Sequence, residues 1–159
     1  MRALVLGVLC VLAAVAGGLG YLVSGDLRAA QAVTDDRRAA VRAASGHAVN
    51  LLSVSHESVD TDIGRLLDTS TGAARAGYVR DAPGLKETTV RDKVMQTGVL
   101  RAAGLVSLRG NSARVLVVAD VVIRWEDSET PAQERFHRWR MDLARVGGVW
   151  LVSQAEQVP

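Results

Sequence analysis

The pattern of apolar and polar positions divides the chain into three parts. Residues Ala3–Val23 form an uncharged run of 21 residues in which apolar side chains and glycines alternate irregularly. After it, apolar residues recur every three or four positions, which is the period of a helix with one buried face. From Val94 onward the period changes to two, which is the period of a strand. Helices followed by strands predict an α+β domain with helices packed on a curved antiparallel sheet.

The N-terminal run has the length of a membrane span. As a helix, its 21 residues would extend about 31 Å, the thickness of the hydrocarbon core of a bilayer. Two interpretations remain open: a retained transmembrane helix, or a signal peptide cleaved after Ala14-Val15-Ala16. We favour the retained helix because apolar character continues past that tripeptide to Val23. Arg2 favours a cytoplasmic N-terminus, but the positive-inside count does not decide the orientation, because Arg28, Arg37, Arg38 and Arg42 follow the span. Long C-terminal domains can be translocated regardless of such charges, so we expect the C-terminal domain to be extracytoplasmic in a single-pass membrane protein.

Small residues within the span suggest a second use for it. Ala13 and Gly17, and likewise Ala16 and Gly20, lie four positions apart, a spacing that lets another helix approach closely in lipid. The alternative is that small residues are simply common in such helices. We therefore expect residues 1–23 to form the transmembrane helix, residues 24–54 an amphipathic helix continuing from it, and residues 55–159 the extracytoplasmic α+β domain.

Four helical segments are predicted after the span. The amphipathic helix within 24–54 has one apolar face, with Arg37 as its single polar interruption. Its apolar positions are Ala30, Val33, Val41, Ala44, Ala48, Leu51 and Leu52. A second helix should begin after Ser58 as N-cap, with Asp60 and Asp62 solvated in the first turn. It should end near Thr71-Gly72.

The remainder of the helical part is predicted to be interrupted. A short helix over 73–80 should be followed by a turn at Ala82-Pro83-Gly84 and another brief helix to Lys93, since proline and glycine punctuate helices. The predicted strands are Val94–Leu108, Ala113–Trp125, Phe136–Val146 and Val149–Ser153, joined by turns at 109–111 and Gly147-Gly148. Gly98 and Gly104 predict a bulge or bend in the first strand. In the third of these strands Trp139, Met141 and Leu143 should point inward.

Charge and chemistry exclude several classes of function. The chain has 19 Lys+Arg against 17 Asp+Glu without a long run of either sign, so we expect no nucleic-acid partner. Its single cysteine, Cys10, lies in the apolar run, which excludes an intramolecular disulfide. His56-Glu57 begins like the zinc-protease motif H-E-x-x-H, but Asp60 stands at the fifth position. We therefore expect no metal, no cofactor and no catalytic residue.

One set of residues is singled out as a candidate cavity lining. Asp120 is the one polar residue of interest on a central strand, but a carboxylate without a paired histidine is a poor catalytic constellation. Trp139 and Met141 are expected on the inner face of the sheet. Together these three residues would line a cavity if the domain holds a small hydrophobic ligand.

The order of several motifs resembles a known family. These motifs are Asn50-Leu51-Leu52, Ser58–Asp62 leading to Arg65–Asp68, Thr71-Gly72 with Tyr78, the strands Val99–Val106 and Ala113–Val122, and the closing Gly148–Ser153. Each motif is weak alone, but their order and spacing are similar to the Mce-associated membrane proteins. These are actinobacterial accessory proteins of the mammalian-cell-entry lipid import systems. One departure is Ala74, where family members often carry a bulky aromatic residue.

The resemblance implies a fold and a role. The fold would be a cone similar to nuclear transport factor 2 and to the periplasmic assembly domain of type IV secretion systems. The role would be a non-enzymatic accessory protein in the cell envelope that stabilises a sterol or fatty-acid importer. Its partners would be the membrane, Mce transporter subunits or other Mce-associated proteins. The alternative function is a carrier that holds a lipid or small hydrophobic ligand in the cavity of the cone.

Overall fold

The computed structural model describes residues 31–126 and 128–158. Its contacts divide the chain into two compact units, Met1–Asp36 and Arg37–Pro159. Of the first unit, the described residues 31–36 are helical, and Val33 is exposed. From Arg37 onward, the described residues belong to the second unit. The predicted membrane span and its four small residues, Ala13, Ala16, Gly17 and Gly20, lie outside the described residues.

The elements follow the predicted order of helices first and strands second, except that a two-residue strand precedes the second helix. Helix α1 covers residues 31–52, and a two-residue strand, β1, follows at Val54–Ser55. The other helices are α2 (Val59–Asp68) and α3 (Gly72–Arg91). The long strands are β2 (Val94–Arg109), β3 (Ser112–Trp125), β4 (Gln133–Val146) and β5 (Val149–Gln157). In the described part of the chain, no helix combines the length and the apolar character that crossing a membrane requires.

The five strands form one antiparallel sheet in the order β1-β2-β3-β4-β5. This meander confirms the predicted α+β class. The β4–β5 hairpin turns at Gly147 and Gly148, whose φ angles of 57° and 86° are readily adopted only by glycine. Strand β2 departs from regular pairing between Leu100 and Ala102 and again between Leu105 and Ser107, so its predicted irregularity is confirmed close to the expected positions.

The helices cover one face of the sheet, which we call the inner face. Ala40, Ala44 and Ala48 lie four residues apart on α1, and each is fully buried. Because their side chains are small, the α1 backbone can approach the strands closely. They share a core with residues of β3, β4 and β5: Val115, Val117, Met141, Leu143, Trp150 and Val152. Odd-numbered residues of β3 therefore face the helices, and the even-numbered ones form the outer face of the sheet.

Gly98 marks the closest approach of α1 to the sheet. A Cβ atom added at Gly98 would stand 2.6 Å from the Cβ of Leu52, the last residue of α1. Such a distance is far below van der Waals contact, so glycine is needed for α1 to end against β2. The sequence marked this glycine as a bend in the strand, whereas in the structure it makes room for the helix.

The predicted turn at Ala82-Pro83-Gly84 is wrong, because α3 runs without interruption from Gly72 to Arg91 with Pro83 inside it. A proline removes one helical hydrogen bond and leaves the carbonyl of residue i−4 without its usual partner. Here Pro83 and Val79 are both exposed, so water can reach that carbonyl. The cost of the proline is therefore reduced, and the helix continues.

Asp62 also departs from the prediction of a solvated carboxylate. It is buried, and its Oδ2 accepts hydrogen bonds from the Ser55 backbone N–H and from the Ser58 hydroxyl, both at 2.9 Å. Arg65 completes the set as its ion-pair partner. Asp60, by contrast, is exposed as predicted and pairs with Lys86 Nζ. Asp62 thus ties β1 to the start of α2.

The predicted segment boundaries at 23/24 and 54/55 stay predictions. Within the described residues, the helix of the 24–54 segment covers 31–52, and its part from Arg37 belongs to the same compact unit as the sheet. The apolar face of that helix includes Ala44, Ala48 and Leu52, as expected, and Ala40 in addition.

Candidate functional site

The structure separates the three residues predicted to line a cavity. Met141 is fully buried in the inner-face core, and Trp139 packs against that core as a partly buried neighbour. Asp120 lies on β3 at an even-numbered position and belongs to the outer face, where it is paired in register with Phe136. The structure therefore brings Trp139 and Met141 together but not Asp120. That any of them lines a ligand cavity stays a prediction.

Asp120 is engaged in an ion pair. Its residue exposure is only 8%, and its carboxylate accepts a hydrogen bond from Arg101 Nε. Arg101 stands at the first irregularity of β2, where it has no residue opposite it on β3. An extra residue of this kind re-aims side chains locally, and here the arginine lies beside Asp120. The carboxylate is thus neutralised on the outer face.

Exposed apolar side chains surround this ion pair on the outer face. Leu116 and Val118 precede Asp120 on β3, and Val99 and Phe136 lie directly opposite it on β2 and β4. Their exposed fractions are 45%, 37%, 39% and 74% respectively. We call these four residues the outer-face stripe. Large exposed apolar side chains grouped on one face are typical of surfaces that contact a partner.

Two ion pairs and one exposed arginine lie beside the stripe. Arg114 of β3 donates two hydrogen bonds to the Asp142 carboxylate of β4, at 2.6 and 3.0 Å, and this contact lowers the pKa of Asp142. Two positions before Asp142, Arg140 of β4 forms an ion pair with Glu156 of β5. Arg138 lies directly opposite Val118 and is exposed, so it adds a positive charge beside the stripe. A partner would therefore meet apolar side chains next to a positive charge.

A buried histidine connects the three helices. His47 of α1 is fully buried; its Nδ1 lies 2.9 Å from Thr69 Oγ1 at the end of α2, and its Nε2 lies 3.1 Å from the Tyr78 hydroxyl of α3. Thr69 Oγ1 donates its single hydrogen to backbone carbonyls of α2, so His47 Nδ1–H is the donor to Thr69. Nε2 then accepts from Tyr78. Sequence reasoning missed this network because its members are 22 and 31 residues apart.

Burial shifts the pKa values of both ring-bearing members of this network. Desolvation lowers the pKa of His47 to about 4, although the contact with Thr69 opposes the shift. Desolvation likewise raises the pKa of Tyr78 to about 12. At neutral pH both groups are therefore uncharged, and the network acts as a neutral link between helices.

Two cavities on the helix side differ greatly in size. Asn50, Ile63 and Leu66 contribute to a cavity of about 70 Å³ beside α1 and α2, which is far smaller than the roughly 300–1,000 Å³ of typical ligand pockets. A second, open groove of about 470 Å³ has Val41 and Leu105 in its lining. Three arginines complete the lining of this groove: Arg37, Arg38 and Arg42. In the sequence, this groove is indicated by Arg37, which interrupts the otherwise apolar face of the helix.

Solved structures of low sequence identity share this fold. The periplasmic domain of DotI is similar with a TM-score of 0.61 and 16% identity, over 75% of this chain and 92% of that one. CagV from Helicobacter pylori, a VirB8 homolog of a type IV secretion system, also gives 0.61, with 12% identity over 74% and 95% of the two chains. An NTF2-like protein with a cystatin-like fold from Novosphingobium aromaticivorans gives 0.59, with 14% identity over 84% and 87%. The predicted similarity to nuclear transport factor 2 is thus confirmed for the fold.

Sequence comparison identifies the family. The chain is 27% identical over 133 residues to Uncharacterized protein Rv1363c of Mycobacterium tuberculosis, a match that covers 81% of this chain. The chain spans about half the length of that relative, since the match covers 50% of it. The family model described as Uncharacterized protein Rv1363c/MT1408-like matches residues 2–159. The chain therefore belongs to the Rv1363c/MT1408-like family.

Proposed function

We propose that this protein is a non-enzymatic, single-pass membrane accessory protein whose extracytoplasmic domain stabilises a lipid import complex of the Mce type. The observation that carries the proposal is the outer-face stripe. The inner face is filled by aliphatic side chains and the α1 alanines, whereas the outer face leaves Leu116, Val118 and Phe136 exposed. A surface of this chemistry suits contact with another protein better than catalysis does.

The comparisons support this proposal at a coarser level. DotI contributes a periplasmic domain of the same fold, and CagV is a VirB8 homolog of a type IV secretion system. Both names fit a fold used outside the cytoplasm in assemblies of several proteins. The link to lipid import rests on the resemblance of the motifs to Mce-associated proteins. We also propose that Asp120 has no catalytic role, because Arg101 already holds its carboxylate.

The outer-face stripe offers a direct test of partner binding. We expect Phe136→Ser combined with Leu116→Ser to reduce co-purification of Mce transporter subunits from native membranes at least tenfold. The reason is that an aromatic anchor at the centre of an interface commonly contributes about 2 kcal/mol or more, and 1.4 kcal/mol corresponds to a factor of ten. The measurement is quantitative mass spectrometry of proteins retained with the full chain.

A matched control separates binding from folding. Val149→Ser alters another exposed apolar residue of the same sheet that lies outside the stripe. It should leave co-purification unchanged, and all variants should have the same far-UV circular dichroism as the wild type. Retention of the same Mce subunits by the double variant would exclude the stripe as the docking surface. Recovery of the wild type without any Mce subunit would contradict the proposed function itself.

The groove beside α1 favours a second candidate function, that of a lipid carrier. Val41 and Leu105 suit an acyl chain, and arginines are well matched to a carboxylate or phosphate head group.

For this function, native mass spectrometry of the full chain with added long-chain fatty acid should show a one-to-one complex. Arg42→Glu should remove that complex because it reverses a charge in the groove. Arg109→Glu on β2 is the control, and equal binding by all three proteins would reject a carrier site here.

A further inference from the structure

Three potential metal ligands converge where the β1–α2 turn meets the end of β3. His56 and Glu57 lie in the turn after β1, and Glu126 directly follows β3. One ligand atom of each residue, a ring nitrogen or a carboxylate oxygen, lies within 4.8 Å of those of the other two. The motif H-E-x-x-H fails in this sequence for want of a second histidine. In the fold, Glu126, which lies 70 positions after His56 in the chain, supplies the third potential ligand.

Backbone hydrogen bonds explain why these distant residues meet. The His56 N–H donates to the Val94 carbonyl at 2.9 Å, and the Glu126 N–H donates to the Lys93 carbonyl at 3.1 Å. Val94, the first residue of β2, and Lys93, the residue before it, thus hold the His56 and Glu126 segments on either side. The Glu57 N–H is bonded to Ser55 Oγ. The positions of all three backbones are therefore set by the sheet, before any ligand is considered.

The geometry around the histidine nitrogen is unusual for a simple hydrogen bond. His56 Nε2 lies 3.1 Å from Glu126 Oε2, yet it is closed to solvent and makes no hydrogen bond of normal geometry among the described residues. Two ligands that are each about 2.1 Å from a tetrahedral zinc ion lie roughly 3.4 Å apart. The observed separation is close to that value. Glu57 is exposed, so its side chain can rotate towards the other two.

From this arrangement we propose that His56, Glu57 and Glu126 form a binding site for a divalent transition-metal ion of the Zn²⁺ type. One imidazole nitrogen and two carboxylate oxygens suit Zn²⁺, with water completing the coordination. Mg²⁺ and Ca²⁺ prefer sites made of oxygen alone, so the histidine disfavours them. A bound ion would link the β1–α2 turn to the end of β3. This inference is independent of the proposed role in lipid import.

The test is a zinc titration of the full chain, freed of metal by a chelator and of any histidine tag. We expect one equivalent of Zn²⁺ to bind and to raise the melting temperature, since a ligand of the folded state stabilises it. Glu126→Gln and His56→Ala should each weaken binding at least tenfold and abolish the thermal shift. Glu57→Gln should have a smaller effect because its side chain must first rotate. Mg²⁺ at the same concentration should produce no shift.

Controls make each outcome decisive. His137→Ala and Glu134→Gln change the same residue types on β4, outside the cluster, and should bind Zn²⁺ like the wild type. Glu126→Gln alters an exposed side chain, so it keeps the test informative if His56→Ala does not fold. Absence of zinc binding in the wild type would overturn the proposal and leave a plain contact between His56 and Glu126. Binding that survives both His56→Ala and Glu126→Gln would overturn it as well.

Discussion

Met141→Ala is expected to lower the free energy of unfolding by about 3 kcal/mol, within the 2–5 kcal/mol typical of large-to-small core substitutions. Met141 is fully buried and shares a core with Val115, directly opposite it on β3, and with the alanines of α1. Truncation would remove these contacts and leave a void, because the surrounding backbone of helix and sheet can close only partly. Urea unfolding followed by tryptophan fluorescence would measure the change.

The same experiment separates a packed core from a ligand cavity. If Met141 lined an open cavity, its truncation would cost less than about 1 kcal/mol, since little packing would be lost. Val118→Ala is the matched control, because Val118 is 37% exposed on the outer face of the same sheet. Val118→Ala should lower the free energy of unfolding by less than about 1 kcal/mol. Similar losses in the free energy of unfolding for Met141→Ala and Val118→Ala would contradict the assignment of inner and outer faces.

The four long strands were predictable because their information is local, whereas the two-residue strand β1 was not predicted. The alternation of apolar and polar residues places the start of β3 within one residue, at Ser112 instead of Ala113, and its end at Trp125. The adjacent glycines at 147 and 148 likewise locate the β4–β5 hairpin. Alternation also reports which side of a strand is buried. That is why Met141 and Leu143 were correctly assigned to the inward side.

The errors occurred where the surroundings of a residue in the fold override its local preference. Pro83 predicts a break, but its exposed position on α3 lets the helix continue. Asp62 has the sequence position of a solvated helix-start acid, but its partners Ser55 and Ser58 come from the preceding strand and turn. No periodicity encodes such pairings, since they depend on how the elements meet. Tertiary context routinely overrides propensity in this way.

The candidate surfaces were only partly predictable for the same reason. The alternation along β3 places Leu116 and Val118 on the face opposite to the buried Val115 and Val117, and both are exposed there. That Phe136 lies opposite Asp120 follows from the β3–β4 register, which depends on the length and path of the connecting loop. The meeting of His56 with Glu126 depends on β2 lying between them. A single sequence does not contain that adjacency in any local pattern.

The buried histidine leads to a strong expected pH dependence. The pKa of His47 is about 4 in the folded protein against 6.5 for an ordinary histidine. Above pH 6.5 neither the folded nor the unfolded state binds this proton, so the stability is at its maximum. As the pH falls from 6.5 towards 4, the unfolded state takes up the proton and the folded state does not. We expect a loss of about 3 kcal/mol across this window, at 1.36 kcal/mol for each unit of pKa shift.

The structural reason is burial. His47 is fully buried between the helices, so a charged imidazolium would lose its hydration in the folded state. His47→Gln cannot titrate, and its stability should be nearly flat between pH 6.5 and 4. The lowered pKa values of Asp81, Asp92 and Asp142 act at lower pH, outside this window. The measurement is urea unfolding of wild type and variant at several pH values; parallel curves would show that another group causes the acid sensitivity.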